Sequence, residues 1–171
     1  MTKEPIGGHD GPYAAPLETA PQTVSSDWID YNGHMNVAYY TMAIDQAIDR
    51  LLEDHLGIGE AYAAAAREGP YALQSHIHYL GEMLEGQTFH CRLRLLDHDA
   101  KRMHIFVEFI NGQGGVAATC EQLLMNVDLE ARRSTPYAAS VLKRLDRMKA
   151  DHAHLTPAAQ IGQPIGIRRK S

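Results

Sequence analysis

The sequence predicts an α+β fold in which a curved antiparallel sheet wraps around one long central helix. Three observations predict it. Apolar residues recur at helical spacing from Val37 to about His55, at Val37, Tyr40, Ile44, Ile48, Leu51 and Leu52. Four strand-period segments follow between Leu73 and Val127, joined by connections of hairpin length. There are no internal repeats and no linker long enough to separate a second domain, so the order β–α–β–β–β–β–α closes as one sheet over one helix. At 171 residues, 44% hydrophobic and 22% charged, the chain suits a single domain with a real core.

Taken in order, residues 1–21 are rich in Gly, Pro and Ala without a period and read as a flexible arm, ordered only where it lies on a neighbour. The domain spans 22–150. It opens with a short strand at Gln22 to Ser25, then the long helix from Val37, which stops at Gly57. A short Ala-rich helix, Ala61 to Glu68, ends at Gly69-Pro70. Leu73 to Leu80 alternates Leu73, Ser75, Ile77 and Tyr79 against Gln74, His76 and His78. Thr88 to Leu96 sets Phe89, Cys91, Leu93 and Leu95 on one face. Arg102 to Ile110 gathers Met103, Ile105, Val107 and Phe109, and Val116 to Val127 is the longest strand. The hairpin connections fall at Glu85-Gly86, Asp97 to Ala100 and Asn111 to Gly115. Thr135-Pro136 reads as the cap and first position of a last helix running to about Ala150. Residues 151–171 read as an extended tail, with His152 and His154 solvated.

Several classes are excluded by composition and motif. A net charge of −5 asks for neither nucleic acid nor an anionic membrane. No apolar run approaches the ~18 residues of a membrane span and Met1 starts no signal peptide, so a cytoplasmic location is expected. Cys91 and Cys120 form no C-x-x-C and fall inside strands as buried thiols. Phosphate-loop, dinucleotide and G-x-S-x-G patterns are missing, so no nucleotide cofactor or serine nucleophile is expected. His76 and His78 share a sheet face but lack a third ligand at a diagnostic spacing, so no metal is assigned; a wall at a subunit interface suits them better.

The chemistry concentrates in Asp27 to Tyr40. A carboxylate at Asp30 precedes a turn through Asn32 and Gly33, and Asn36 is placed to cap the long helix. The amides of Val37 and Ala38 then lie in the first turn, where N–H groups lack intrahelical partners and favour an oxygen that turns negative. A fixed carboxylate beside such donors is the minimum equipment for attack on an activated carbonyl.

The order Asp30-x-x-Gly33-His34-Met35-Asn36, followed by Tyr40, resembles the signature of the hot-dog-fold acyl-CoA thioesterases of the 4-hydroxybenzoyl-CoA thioesterase type. There the pattern runs Asp-x-x-Gly-His-(Val/Met)-Asn-Asn-Ala-x-Tyr. Val37 departs from it by replacing the second Asn, which removes a side chain and keeps the backbone N–H. The resemblance covers roughly Gln22 to Ala150, specifically in Asp30 to Tyr40 and topologically elsewhere. It implies Asp30 as general base or nucleophile, Val37 N–H as oxyanion donor and His34 orienting the turn. It also implies Gly33, Asn36 and Tyr40 around the substrate, no cofactor, and a homodimer or homotetramer that completes its pockets across a two-fold interface. Asp45 sits where the family often carries a helix carboxylate, and is a secondary candidate. The phosphates of coenzyme A need cations, for which Arg132 and Arg133 stand ahead of Lys143, Arg144, Arg147 and Lys149. His76 is a candidate pocket wall.

Over its whole length the chain is similar to the betainyl-CoA thioesterases of carnitine degradation, which implies an acyl group carrying a trimethylammonium. Such a cation is held by aromatic faces and negative charge, and Trp28, Tyr31, Tyr39 and Tyr40 flank the turn with Asp27 beside them. Two other readings stand beside hydrolysis: a non-catalytic acyl-CoA sensor and a hydratase on the same fold. The intact Asp30 to His34 disfavours the first, and the lack of Asp-x-Asn-Pro-x-His the second.

Overall fold

A computed structural model describes residues 3–167 and 169. The central helix, α1, covers Val37–Arg50 and runs on as a π-type turn over Leu51–Leu56, roughly 30 Å in all. Its buried stripe is Tyr40, Ala43, Ile44, Ala47 and Ile48, continued by Leu51, Leu52 and Leu56. Gly57 ends it in the left-handed region at φ 69°.

Two 2-residue strands, β1 (Leu17–Glu18) and β2 (Gln22–Thr23), precede the helix. After α2 (Glu60–Ala66) come β3 (Glu68–Tyr79), β4 (Thr88–His98), β5 (Arg102–Asn111) and β6 (Val116–Asp128), then β7 (Arg133–Ser134) and α3 (Ala139–His152). The antiparallel sheet has the order β1-β4-β5-β6-β3, with β2 also on β4 and β7 on β6. The inner face packs Phe89, Cys91, Leu93, Met103, Ile105, Val107, Phe109, Ala118 and Cys120 on α1 in one core. Among the described residues no helix is long and apolar enough to cross a membrane.

Five expectations need correction. Gly69-Pro70 does not end a helix: Arg67 turns the chain in the left-handed region, and Glu68 to Pro70 already pair with β6. Pro is tolerated there because β3 is an edge strand. A register shift between Ala72 and Gln74 leaves Leu73 unpaired and 47% exposed, off the face with Ser75 and Ile77. The link at Glu85-Gly86 is no hairpin, since β3 lies beyond β6. It crosses the end of the sheet, pinned by fully buried Met83 and by Leu80 and Gly81 N–H groups on the Ala117 carbonyl (2.8 and 3.0 Å). Thr135-Pro136 is extended rather than helical, because buried Tyr137 donates its N–H to the Ala100 carbonyl (2.8 Å) and α3 starts after it.

The fifth concerns both ends of the chain. Residues 3–21 lie on the molecule itself, with Tyr13 and Leu17 in the core. Ile6 N–H donates to the Gly57 carbonyl (2.8 Å) and Tyr13 N–H to the Asp151 carboxylate (2.8 Å). Arg144 donates to Asp10 and the Gly7 carbonyl, Arg147 to Asp151 and Lys149 to Asp97, so these cations serve the fold. The tail is seated on the outer sheet face: Arg94 donates to the Thr156 carbonyl (2.5 Å) and Gly162 N–H to the Glu121 carboxylate (2.7 Å). Residues 1, 2, 168, 170 and 171 lie outside the described residues.

His152, expected in solvent, is 4% exposed. Its Nδ1 accepts the Leu95 N–H (3.0 Å), so the proton sits on Nε2, which donates to the Ala14 carbonyl (2.9 Å). Burial lowers its pKa; His55, half-buried and facing His9, is lowered too. A neutral imidazole is therefore favoured by folding, and its contribution is complete above the unfolded value of about 6.5 and lost as pH falls through the depressed folded value. Melting temperature should fall between pH 7 and pH 5, and fall less in His152→Gln; equal slopes in thermal melts of the two proteins would contradict this.

Candidate active site

The loop before α1 is a small hairpin. An isolated bridge pairs Ile29 with Met35, Asp30 N–H donates to the His34 carbonyl (3.1 Å), and Gly33 N–H donates to the Asp30 carbonyl (2.9 Å). Gly33 sits at φ 82°, a conformation that costs a residue without Cβ nothing. The loop is fixed from below, where fully buried Met35 donates its N–H to the Met83 carbonyl (2.8 Å). The β3–β4 link is thus the floor of the site, a role that the spacing of its residues does not signal.

Asp30 is half-buried. Its Oδ1 accepts the Asn32 N–H at 2.8 Å, while among the described residues Oδ2 has only a long contact of 3.5 Å with Asn36 Nδ2. One oxygen is engaged in holding the turn and the other retains lone pairs for a reacting group. Asn36 caps the helix as expected: its Oδ1 accepts the Ala38 N–H (2.9 Å), and its own N–H donates to the Trp28 carbonyl (2.9 Å). That cap removes Ala38 from the two expected oxyanion donors. The Val37 N–H has no acceptor among the described residues, and Val37 is 56% exposed. A carboxylate oxygen and a free helix-terminal N–H therefore share one short, rigid loop.

The aromatic residues separate. Trp28 stacks on Tyr39, with centroids 5.4 Å apart and planes at 11°, both half-buried at the loop. Tyr31 stands 97% exposed at the turn tip. Tyr40, expected at the substrate, is instead 3% exposed in the core, where its hydroxyl reaches the Gly81 carbonyl (3.3 Å); it shares a helix face with Val37, but Val37 is the first residue of α1 and is left exposed at the helix end while Tyr40, one turn on, is covered. His34 is half-buried beside Asp30, and Asp45 is exposed on the outer side of α1.

Other expected residues do not join the loop within one chain. His76 packs against His78 (ring centroids 4.5 Å apart, tilted by 36°) on the outer sheet face, lining a cleft of about 500 Å³ with tail residues such as Gln160 and Pro164. Among the described residues, no three metal-ligating side chains cluster. Arg132 and Arg133 follow the far end of β6, roughly 35 Å along the sheet from Ala117 under the motif. Cys91 and Cys120 are free, and burial pushes their thiols up to about 12 and about 11, so neither competes as a thiolate. A cleft of about 560 Å³ opens between the β1–β2 segment and the middle of α1, near Gln46 and Ala47. It lies about 15 Å along the helix from Val37.

Comparison with known proteins gives the family and the fold. The thioesterase-like superfamily profile matches residues 24–145. A betainyl-CoA thioesterase of Pseudomonas aeruginosa is 34% identical over 88% of this chain and 95% of its own. An L-carnitine dehydrogenase/betainyl-CoA thioesterase of Rhizobium meliloti is 34% identical over 91% of this chain, which spans 31% of that longer protein. A Staphylococcus aureus protein of hypothetical function, crystallised with CoA, superposes with a TM-score of 0.84 at 27% identity, covering 90% of this chain and 96% of its own. The chain belongs to the thioesterase-like superfamily and is a thioester hydrolase built on the hot-dog fold.

Proposed function

We propose that this protein hydrolyses betainyl-CoA to glycine betaine and CoA at the Asp30–Val37 loop. The observation that carries the reaction is a spare Asp30 oxygen on the turn just ahead of a Val37 N–H that has no acceptor among the described residues. The thioester carbonyl oxygen accepts the Val37 N–H, whose helix-terminal position favours the negative charge of the tetrahedral intermediate. Asp30 takes a proton as water oxygen bonds to the carbonyl carbon; the C–S bond then breaks and the electrons leave on CoA sulfur. Direct attack by Asp30, giving an acyl anhydride that water opens, uses the same contacts.

Charge supports the cationic acyl group. From Ser26 to Asp49 the chain carries Asp27, Asp30, Asp45 and Asp49 and no Lys or Arg. The relative from Pseudomonas aeruginosa bears the same substrate in its name. The test is kcat/KM for betainyl-CoA against 3,3-dimethylbutyryl-CoA, its uncharged carbon isostere, in a thiol-release assay. A preference of roughly thirtyfold is expected from a desolvated cation–π seat. Equal turnover of the two would end the betaine reading and leave a thioesterase of neutral acyl groups.

The working unit we infer is at least a dimer. Strand β3 is a 12-residue edge with Tyr71, Leu73 and Tyr79 each 43–48% exposed, and the following Leu80 is 49% exposed. A long apolar edge of this kind pairs with something. Antiparallel pairing of two copies along β3 would bring the Arg132–Arg133 end of one beside the α1 N-terminus of the other, where CoA phosphates need cations. Light scattering should give at least twice the 19.0 kDa chain mass; a single-chain mass under assay conditions would remove the claim.

A further inference from the structure

Six aromatic rings run in one file from the β3 edge to the loop. Tyr79 meets Tyr40 edge-on (5.4 Å), Tyr40 meets Phe109 (5.1 Å), and Phe109 stacks on Phe89 (4.3 Å, 17°). Phe89 then meets Trp28 (6.1 Å) and Trp28 stacks on Tyr39 (5.4 Å, 11°). Trp28 thus has a ring neighbour at Phe89 as well as at Tyr39. Tyr39 is the terminal ring, and among the described residues its side chain meets no ring beyond Trp28.

Reach decides which ring can read the acyl group. In a betainyl thioester the quaternary nitrogen is two bonds from the carbonyl carbon, about 2.5 Å. With the carbonyl on Val37 N–H, the cation must find its aromatic face within about 6 Å of itself. The cleft beside Gln46 and Ala47 is too far along the helix. Tyr31 points into solvent and Tyr40 is sealed in the core. Tyr39 lies in the first turn of α1, two residues after Val37, and its ring is stacked on Trp28 of the segment that carries Asp27 and Asp30.

We propose that Tyr39, braced from behind by Trp28, is the specificity-determining residue that holds the trimethylammonium of the acyl group against its outer face. The inference rests on the betainyl-CoA reading above. Trp28 supports the ring in position, since its other ring contact, with Phe89, belongs to the core. The phenol hydroxyl is not needed for this role; the π face is.

The test measures kcat/KM for betainyl-CoA and 3,3-dimethylbutyryl-CoA in the full-length wild type, Tyr39→Phe and Tyr39→Leu, with thermal melts to confirm that each is folded. Tyr39→Phe should keep the cationic preference. Tyr39→Leu should lose at least tenfold of it, while the neutral substrate changes by less than about threefold. Equal losses on both substrates, or an intact preference in Tyr39→Leu, would overturn the assignment. A Tyr39→Leu that fails to fold transfers the decision to Tyr39→Phe and Tyr39→His, of which only the first should retain the wild-type ratio. Absence of any preference in the wild type is a different result, and it sinks the substrate reading rather than the role of one ring.

Discussion

Asp30→Asn is expected to lower kcat by on the order of 10²-fold or more, with a much smaller change in KM. The replacement is nearly isosteric, and an amide oxygen can still accept the Asn32 N–H that now bonds Oδ1 at 2.8 Å, so the turn should persist. What disappears is the second carboxylate oxygen, the one with only a 3.5 Å contact to Asn36. In the proposed reaction it is the proton acceptor or the nucleophile, and ground-state binding through CoA does not use it. A hundredfold loss corresponds to about 2.7 kcal/mol of transition-state stabilisation. Steady-state thiol release decides it. Near-native turnover by a folded variant would move the role elsewhere, with His34 and then Asp45 as successors.

Phe109→Ala should be the most destabilising of the core truncations around the site, at about 3–5 kcal/mol. Phe109 is fully buried at the centre of the aromatic file, stacked on Phe89 and against Tyr40, with Cys91 and Ala118 opposite it on the two flanking strands. Small neighbours and rigid strands leave little that can collapse into the space. For a domain whose whole stability is typically ~5–15 kcal/mol, the loss is a large fraction, and the melting temperature should drop by roughly 10 °C or more. Chemical denaturation would measure it directly. A loss below about 1 kcal/mol would mean that this stack is not what holds α1 to the sheet.

Local rules carried the fold and the heart of the site. The helical stripe from Tyr40 to Leu52, the alternation in β4 and the Asn36 cap each follow from residues within a few positions of one another, so spacing reveals them. Long-range pairing is where spacing is silent. Nothing local tells that β3 bonds to β6 rather than to β4, that Met83 supports Met35, or that Tyr13 and His152 tie the chain ends to α3 and β4. The same limit applies to the motif aromatics. Four rings crowd one stretch of sequence, yet only the three-dimensional stack separates Tyr39 at the loop from Tyr31 in solvent and Tyr40 in the core. Arg132 and Arg133 fit phosphate recognition by residue type, and their distance from the loop appears only once the sheet is assembled.

The most direct test of the account is the position of the thioester carbonyl in a crystal of Asp30→Asn with betainyl-CoA bound. The carbonyl oxygen should lie about 3 Å from the Val37 nitrogen, the geometry of an oxyanion donor. A carbonyl oxygen seated beyond about 4 Å from that nitrogen, or in the cleft beside Gln46 and Ala47, would contradict it.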